Sequence, residues 1–279
     1  MSKIHISRSG FITKAALPSV SRTGTVPATY YAKLDESAGS TSLADSGPNN
    51  LTMTCSGSAA MSSSQAKFGS TSLLITSSTN DYGSLGINAG SGAFNFAANN
   101  WTVECWIYMT ALPASGRLFE VITVQGASGT GVDGYACCRL AVTPTGSMYM
   151  LCTGATAATW INNSTTANSL IGTNTWYHLA GVRNGSNYTL YINGVSRLTY
   201  TFSGTQYNYA GYTTVGTNYA NGSILGSYPR GGTAYIDAIR IFNGTAVYTS
   251  GFTPPSTLPD LSVEGGTVNN NVYGINQLL

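Results

Sequence analysis

Two Asn-Gly pairs, nine residues apart, constrain the fold of this chain more than any other feature of its sequence. They are Asn184-Gly185 and Asn193-Gly194, in the stretch NTWYHLAGVRNGSNYTLYINGVSR at residues 174–197. Asn-Gly accepts positive φ at both central positions, as the type I′ turn of a two-residue hairpin requires. Between the pairs, apolar and polar residues alternate with the period of a half-buried strand. The stretch therefore predicts three consecutive antiparallel strands.

The rest of the chain continues this pattern of short strands and turns. Gly and Tyr are frequent, with 33 and 18 copies, and few helix formers recur at helical spacing. Strands are predicted in TYYAKLD, LTMTCSG, STSLLITS, DYGSLGI, WTVECWIYM, LFEVITVQ, YACCRLAVT, GSMYMLCTG, ATWINNS, YTTVGT and TAYIDAIRIFNG. About twelve to fifteen strands separated by turns predict an all-β fold, a two-sheet antiparallel sandwich or jelly roll.

The composition excludes several classes of protein. The net charge of +2 is too small for a nucleic-acid-binding protein. No apolar run approaches the length that a membrane-spanning helix needs, so we expect no membrane insertion. The five cysteines are odd in number and none has CxxC spacing, which predicts free, mostly buried thiols in a reducing compartment.

The first residues of the chain are basic and look like an arm outside the core. Lys3, Arg8, Lys14 and Arg22 precede the first acidic residue, Asp35. The segment lacks the apolar region of a secretion signal, so we expect folding in the cytoplasm. We predict a basic arm at residues 1–28, a jelly-roll domain at 29–257 and a polar tail at 258–279.

Four segments, taken in order, resemble a known family. They are KFGSTSLLITSSTNDYGSL, WTVECWIYM, the two-turn stretch and GTAYIDAIRIFNGTAVYTSGFTPP. Together they resemble the concanavalin A-like, laminin-G-type jelly roll over about residues 29–257. The ending AVYTSGFTPP is similar to versions found in structural proteins of tailed phages. The resemblance implies the fold, but the family is functionally broad, so the fold alone does not assign an activity.

Catalysis is not expected from the acidic residues. Glycoside hydrolases of this fold resemble one another in an E-x-D-x-x-E strand, which places two carboxylates on one face. This chain has no such pattern, and Glu104, Glu120 and Asp237 are isolated in their predicted strands. We expect Glu104 to pair within a sheet with Arg183 or Arg139. The protein is therefore predicted not to be an enzyme.

Histidine and tryptophan residues have structural interpretations here. Only His5 and His178 occur, which argues against a His-based metal site or a Ser-His-Asp triad, and His178 is expected to lie satisfied in a sheet. Trp101, Trp106 and Trp176 are expected to pack in the core or on a sheet, with sugar stacking as the alternative.

Calcium is a cofactor that the family resemblance implies. Asp237, in YIDAIRI, stands where family members often carry a structural ion, and Asp35 could approach it if the terminal strands pair. Calcium prefers carboxylate and backbone carbonyl oxygens. The alternative is a carboxylate that accepts hydrogen bonds from a neighbouring loop.

A tyrosine-rich stretch at residues 205–232 is the predicted binding surface. Tyrosine gives rigid amphipathic contact at a low entropy cost, as in binding loops. Such a surface could hold a glycan or a protein neighbour, or it could pack on its own sandwich. The candidate residues are Tyr207, Tyr209, Tyr212, Tyr219, Tyr228 and Arg230.

Two functions of different classes remain open. The first is a structural virion protein of a tailed phage, a capsid decoration or fibre subunit that assembles in the host cytoplasm and oligomerises on the virion surface. Lys3, Arg8, Phe11 and Lys14 would anchor it to capsid or other virion proteins. The alternative is a carbohydrate-binding module that recognises a host-surface glycan.

Overall fold

The computed structural model describes residues 25–76, 81–85, 93–126, 136–156, 159–161, 164–208, 211–217, 219–220, 223–224 and 231–264. The regular elements of these residues are all strands, and none of the described residues forms a helix that could cross a membrane. The strands are β1 (Thr25–Pro27), β2 (Tyr30–Ala32), β3 (Ser42–Leu43), β4 (Met53–Ser56), β5 (Ala60–Ser62), β6 (Ser72–Ile75), β7 (Tyr82–Ser84), β8 (Trp101–Ala111), β9 (Phe119–Gly126), β10 (Cys138–Val142), β11 (Met148–Leu151), β12 (Trp176–Asn184), β13 (Asn187–Ile192), β14 (Val195–Thr201), β15 (Tyr212–Val215), β16 (Tyr219–Ala220), β17 (Ser223–Ile224), β18 (Thr233–Asn243) and β19 (Ser262–Glu264).

Two antiparallel sheets pack face to face. The seven-stranded sheet has the order β11-β10-β9-β15-β7-β4-β3, and the eight-stranded sheet has the order β14-β13-β12-β8-β18-β6-β5, with β2 also paired to β18. Neighbours such as β9 and β15, or β8 and β18, are far apart in the chain, as in a jelly roll. The predicted all-β, two-sheet antiparallel jelly-roll sandwich is confirmed.

Alternation along the strands builds the core between the sheets. In β8, Val103, Cys105 and Ile107 are buried in the main core cluster, whereas Glu104 and Trp106 face outward from the eight-stranded sheet. Period-two alternation of this kind is what a two-layer sandwich needs, because only one face of each sheet lines the core. All five cysteines are free and buried, as the sequence predicts.

The outward face of the eight-stranded sheet is covered in part by residues 245–261, here called the closing segment. Tyr248 and Phe252 stack with their ring centroids 3.5 Å apart. Phe252 also packs edge-on against His178 and against Tyr191, at 5.5 and 5.4 Å between centroids. The closing segment thus covers the part of this face that carries His178 and Tyr191.

The two hairpin turns of the opening stretch differ from one another. Asn193 and Gly194 have φ of 51° and 74° and stand between β13 and β14, as a type I′ turn requires. In the first hairpin Asn184 already pairs with Asn187, so the central residues are Gly185 and Ser186. The expected type I′ turn on Asn184-Gly185 is therefore wrong by one residue.

One predicted strand is not formed. In ATWINNS, only Trp160 makes a bridge among the described residues, to Thr153, and no strand is assigned there. The other predicted strands correspond to elements of the two sheets.

Candidate functional site

The tyrosine-rich stretch begins with a backbone that is held in place by its neighbours. The N–H of Tyr207 donates to the carbonyl of Gly154 at 2.7 Å, and the carbonyl of Tyr207 accepts from Thr153 Oγ1 at 2.7 Å. The preceding Gln206 is buried, and its side-chain oxygen accepts from Trp101 Nε1 at 3.2 Å. The side chain of Tyr207 is nevertheless 39% exposed. A large aromatic side chain thus faces solvent from a fixed backbone.

The backbone that holds Tyr207 belongs to a small hairpin. The N–H of Gly154 donates to the carbonyl of Thr159 at 2.8 Å, and Thr153 forms a bridge with Trp160. A Cβ at Gly154 would lie 2.7 Å from Thr159 Oγ1, so the close approach of the two arms favours glycine. Trp160 is half-buried. Trp160, on this hairpin, and Tyr207, whose backbone is hydrogen-bonded to it, are called the Tyr207 surface below.

Of the other predicted tyrosines, two lie in described strands. Tyr212 is half-buried in β15, and Tyr219 lies in β16, where it pairs with Ile224. Tyr209, Tyr228 and Arg230 lie outside the described residues, as do the arm residues Lys3, Arg8, Phe11 and Lys14. Their predicted roles stay predictions.

Asp237 lies at a break in the pairing of β18. On one side of β18, β6 pairs with residues 234–236 and β2 with residues 239–241, so neither strand pairs with Asp237. On the other side, the register with β8 shifts between Asp237 and Arg240, and Ala238 has a φ of 48°. Bulges of this kind redirect side chains. β2 pairs with β18 and ends three residues before Asp35, whose charge acts on Asp237.

The two oxygens of Asp237 have different surroundings. Oδ2 accepts backbone N–H bonds from Lys67 and Phe68 at 2.8 and 3.1 Å, as the loop alternative predicted. Oδ1 is buried and has no hydrogen-bond partner among the described residues. Burial is the largest cause that raises the pKa of Asp237 to about 7, the backbone N–H groups oppose it, and the charge of Asp35 adds to it.

A calcium ion would fit the unpaired oxygen of Asp237. Calcium takes carboxylate oxygens and backbone carbonyls as ligands, and Asp237 Oδ1 is a buried acceptor that lacks a donor. The described residues contain no group of three or more His, Cys, Asp or Glu side chains that could hold a metal ion. Further ligands would therefore have to be carbonyls or water. The calcium site stays a prediction.

Glu104, on β8, is the centre of a buried polar network beneath the closing segment. Its carboxylate accepts from Tyr248 Oη at 2.7 Å and from His178 Nε2 at 3.1 Å, and it forms an ion pair with Arg240. Burial alone would raise the pKa of Glu104, but Arg240, His178 and Tyr248 outweigh it and lower the pKa to about 2. Glu104 is thus a charged structural residue, and His178 lies in the sheet as predicted, although its Nδ1 has no partner among the described residues.

The predicted partners of Glu104 were wrong. Arg139 instead forms a two-point ion pair with Glu120, with Nε donating to Oε2 at 2.8 Å. Arg183 donates to backbone carbonyls, including that of Gly185 at 3.0 Å. Arg240 is the true partner, and local sequence gave no signal for it.

Glu104 and Glu120 face away from one another. Glu104 lies on the outward face of the eight-stranded sheet, and Glu120 pairs with Arg139 on the outward face of the seven-stranded sheet. The core lies between them. Each carboxylate also forms an ion pair with an arginine. Glu104 and Glu120 therefore do not form a pair that could flank one glycosidic bond.

The family of this chain is now supported by its sequence as well as its fold. A family model described as the concanavalin A-like lectin/glucanases superfamily, of the laminin G type, matches residues 77–247. The chain belongs to this superfamily. No curated protein sequence matches it.

Solved structures with the same fold include binding domains and a domain of a glycosidase. The binding domain of Paraclostridial Mosquitocidal Protein 1 is 15% identical, with a TM-score of 0.56 over 80% of this chain and 50% of that one. The botulinum neurotoxin serotype D binding domain is also 15% identical, with a TM-score of 0.54 over 78% and 47%. The chain thus spans about half the length of these two domains.

A third solved structure matches over most of its own length. Domain 4 of AbnA, an extracellular arabinanase from Geobacillus stearothermophilus, was solved in complex with arabinotriose. It is 17% identical, with a TM-score of 0.53 over 80% of this chain and 95% of that one. At these identities the likeness concerns the fold alone.

Trp160 and Gln206 are site residues that the sequence analysis missed. Gln206 was read only as part of the tyrosine-rich stretch, although its contact with Trp101 Nε1 fixes the backbone next to Tyr207. Trp160 was assigned to a strand, whereas it lies on the hairpin whose Thr153 and Gly154 are hydrogen-bonded to the backbone of Tyr207. A tryptophan in ATAATWINNS, a segment otherwise rich in Ala, Thr and Asn, was the available signal.

Proposed function

We propose that the protein is a non-catalytic, lectin-like binding protein that contacts a host-surface glycan through the Tyr207 surface. One observation carries this proposal, namely that Tyr207 is 39% exposed while its backbone is hydrogen-bonded on both sides. An exposed aromatic ring on a fixed backbone has little entropy to lose on binding. Such a ring can stack on the CH face of a sugar, while nearby amides and hydroxyls bond to its hydroxyl groups.

The relatives support a binding role as an analogy of fold. Two of the similar structures are binding domains of toxins, and one is an arabinanase domain in complex with arabinotriose. The separation of Glu104 from Glu120 by the core further supports binding without hydrolysis, because glycoside hydrolysis needs two carboxylates across one bond.

A glycan array with fluorescently labelled protein tests this function. Tyr207→Ala and Trp160→Ala should each weaken the signal of any glycan that the wild-type protein binds. Val195→Ala is the matched control, since Val195 is 48% exposed and lies at the β13–β14 turn. An array without signals, or equal loss in the control, would contradict glycan binding by the Tyr207 surface.

We also propose that the protein is carried on a tailed-phage particle, as a capsid decoration or fibre subunit on the virion surface. The pairing of Thr25 with Glu264 supports this. β1 directly follows the N-terminal residues and β19 directly precedes the C-terminal ones, so the two terminal segments join the domain at neighbouring strands. The basic N-terminal arm and the polar tail would then leave the domain together, toward capsid or other virion proteins. Assembly in the host cytoplasm and homo-oligomers on the particle belong to the same proposal.

Calcium would be a structural ion in this function. Asp237, through Oδ1, and Asp35 would hold it next to the break in β18. A bound cation supplies positive charge that offsets the cost of burying the Asp237 carboxylate.

A further inference from the structure

Three aromatic side chains form a row on the outward face of the eight-stranded sheet. Trp176 of β12 and Tyr235 of β18 both stand directly opposite Tyr108 of β8. The ring centroids are 5.5 Å apart for Tyr108 and Trp176, and 6.1 Å apart for Tyr108 and Tyr235. All three side chains are half-buried, so solvent reaches each of them. They are called the aromatic row below.

The aromatic row lies where the cover of this face ends. Two residues further along the same strands, His178 and Trp106 are buried. Phe252 of the closing segment packs on His178, and Phe68 packs on Trp106 at 5.9 Å between centroids. The sheet therefore has a covered part and, beside it, a partly open part made of aromatic rings.

The described residues at the rim of the aromatic row include exposed threonines. Thr110, two residues after Tyr108, is exposed, and its Oγ1 donates to the carbonyl of Thr233 at 3.2 Å. Thr173 is exposed beside Met109 on the neighbouring backbone. The nearby Lys67 is engaged, since its Nζ lies 4.0 Å from the ring centroid of Trp106. Aromatic rings bordered by hydroxyls suit a ligand with apolar CH faces and many hydroxyl groups.

We propose that the aromatic row is a second glycan-binding site, which takes a neutral oligosaccharide stretch. The aromatic-row proposal rests on the proposed function in one respect, namely that the ligand is a glycan. The site lies on the outward face of the eight-stranded sheet, whereas the hairpin of the Tyr207 surface continues from β11 at the edge of the other sheet. The tilts of 53° and 74° between neighbouring rings make the row uneven, so it offers both ring faces and ring edges.

The size of the aromatic row favours a saccharide over a protein. The two centroid distances, 5.5 and 6.1 Å, add to a span of at most 11.6 Å. A stable protein interface buries about 800 Å² on each partner, which is far more than three half-buried side chains offer. Two separate sites on one domain would also let a long polymer, or neighbouring chains on a surface, bind with avidity.

Affinity electrophoresis tests the aromatic row with defined probes. The full-length protein is run through native gels that contain soluble arabinan, xylan, mixed-linkage β-glucan or mannan. We expect at least one polymer to retard it, and Trp176→Ala or Tyr235→Ala to raise the apparent Kd about tenfold. Trp176→Phe keeps a ring and should keep most of the binding. Tyr207→Ala should leave this retardation measurable, because the second site is intact.

The outcomes separate this proposal from the glycan role of Tyr207. Retardation that is lost in Tyr207→Ala but unchanged in Trp176→Ala and Tyr235→Ala overturns the aromatic row and leaves the Tyr207 surface standing. Retardation that is lost only in the row variants supports the row and counts against Tyr207. No retardation by any of the four polymers overturns the row. Melting temperatures of all variants show whether they are folded, and Tyr235→Ala replaces Trp176→Ala if the latter unfolds.

Discussion

Arg240 stands directly opposite Glu104 in the adjacent strand, and their ion pair is buried beneath the closing segment. The same guanidinium donates from Nη1 to the carbonyl of Asp260 at 2.7 Å. Tyr248 Oη donates to Glu104 at 2.7 Å. Two residues of the closing segment, Tyr248 and Asp260, are therefore hydrogen-bonded to the two members of one buried ion pair in the sheet.

Glu104→Gln should destabilise the protein by about 3–5 kcal/mol, because it leaves the buried charge of Arg240 without its counter-ion. The closing segment should also loosen. Urea unfolding measures the first effect, and limited proteolysis with mapping of the cut sites measures the second. Glu120→Gln is the matched control, since it breaks the Arg139 pair on the other sheet. Equal cleavage of the closing segment in both variants would contradict the fastening role.

Acid should reproduce part of this effect in the wild-type protein. The pKa of Glu104 is lowered to about 2 in the folded state, from an ordinary value of 4.5. A lowered carboxyl pKa contributes stability that is present above the unfolded pKa and is lost as the pH falls through the folded pKa. The free energy of unfolding should thus fall between about pH 4.5 and pH 2. Glu104→Gln should make the free energy of unfolding less dependent on pH in this range. An unchanged pH profile in this variant would contradict the role of Glu104.

The two turn glycines offer a matched pair of substitutions. Gly194 has a φ of 74°, and a Cβ there would overlap the carbonyl oxygen of Phe252. Gly185 has a φ of 61° and would place a Cβ in open space. Gly185→Ala should therefore cost about 1 kcal/mol from backbone strain alone. Gly194→Ala should lower the free energy of unfolding by clearly more, as measured by urea unfolding. Equal losses in the two variants would show that the closing segment moves away from the added Cβ at little cost.

The opening stretch shows how far local sequence predicts this fold. Period-two alternation and Asn-Gly pairs were enough for three strands, because both are local properties. The exact first turn was not predictable, because the N–H of Gly185 donates to the side chain of Asn100 at 2.7 Å. Asn100 is 85 residues away in the chain, and nothing near Asn184 indicates the contact.

The partner of Glu104 was hidden for a similar reason. A regular ladder that continued from the Asp237–Trp106 pair would place Ile239 opposite Glu104. The register shift between Asp237 and Arg240 moves Arg240 into that position. A bulge depends on both strands, so alternation within YIDAIRI could indicate a buried strand but not this pairing.

Incubation with laminarin, agarose, carrageenan or host polysaccharide should release no reducing ends. Glu104 and Glu120 lie on the outward faces of two sheets, and packed sheets are about 10 Å apart even between their backbones. Paired carboxylates in glycosidases are about 5–9.5 Å apart across one substrate bond. Turnover that disappears in Glu104→Gln or Glu120→Gln, in a variant that remains folded, would refute a purely binding role.

Calcium should raise the melting temperature if Asp237 binds it. The gain is about 2.7 kcal/mol when free calcium is about 100 times its dissociation constant. Thermal unfolding with calcium and with a chelator measures the difference. Asp237→Asn keeps the shape of the side chain but removes its charge, so it should abolish the difference. Identical melting temperatures of the wild-type protein in both conditions would remove the calcium site.

Deletion of residues 1–24 should leave the domain folded but prevent its attachment to the particle. The deleted segment contains Lys3, Arg8, Lys14 and Arg22 and no acidic residue, so its charge is +4 with His5 neutral. β1 remains in the shortened chain, and Thr25 can still pair with Glu264. The described sandwich has its own extensive core, so the arm is not needed to bury apolar surface.

The basic side chains of the arm would face an acidic partner surface, such as a capsid exterior, and attachment should weaken as salt screens these charges. Full-length and shortened proteins are added to particles that lack this component, and bound copies are counted at low and high salt. Deletion of residues 265–279 is the control for the tail. If the shortened protein binds as well as the full-length one, the arm is not the anchor, and loss of binding in the tail variant would assign that role to residues 265–279.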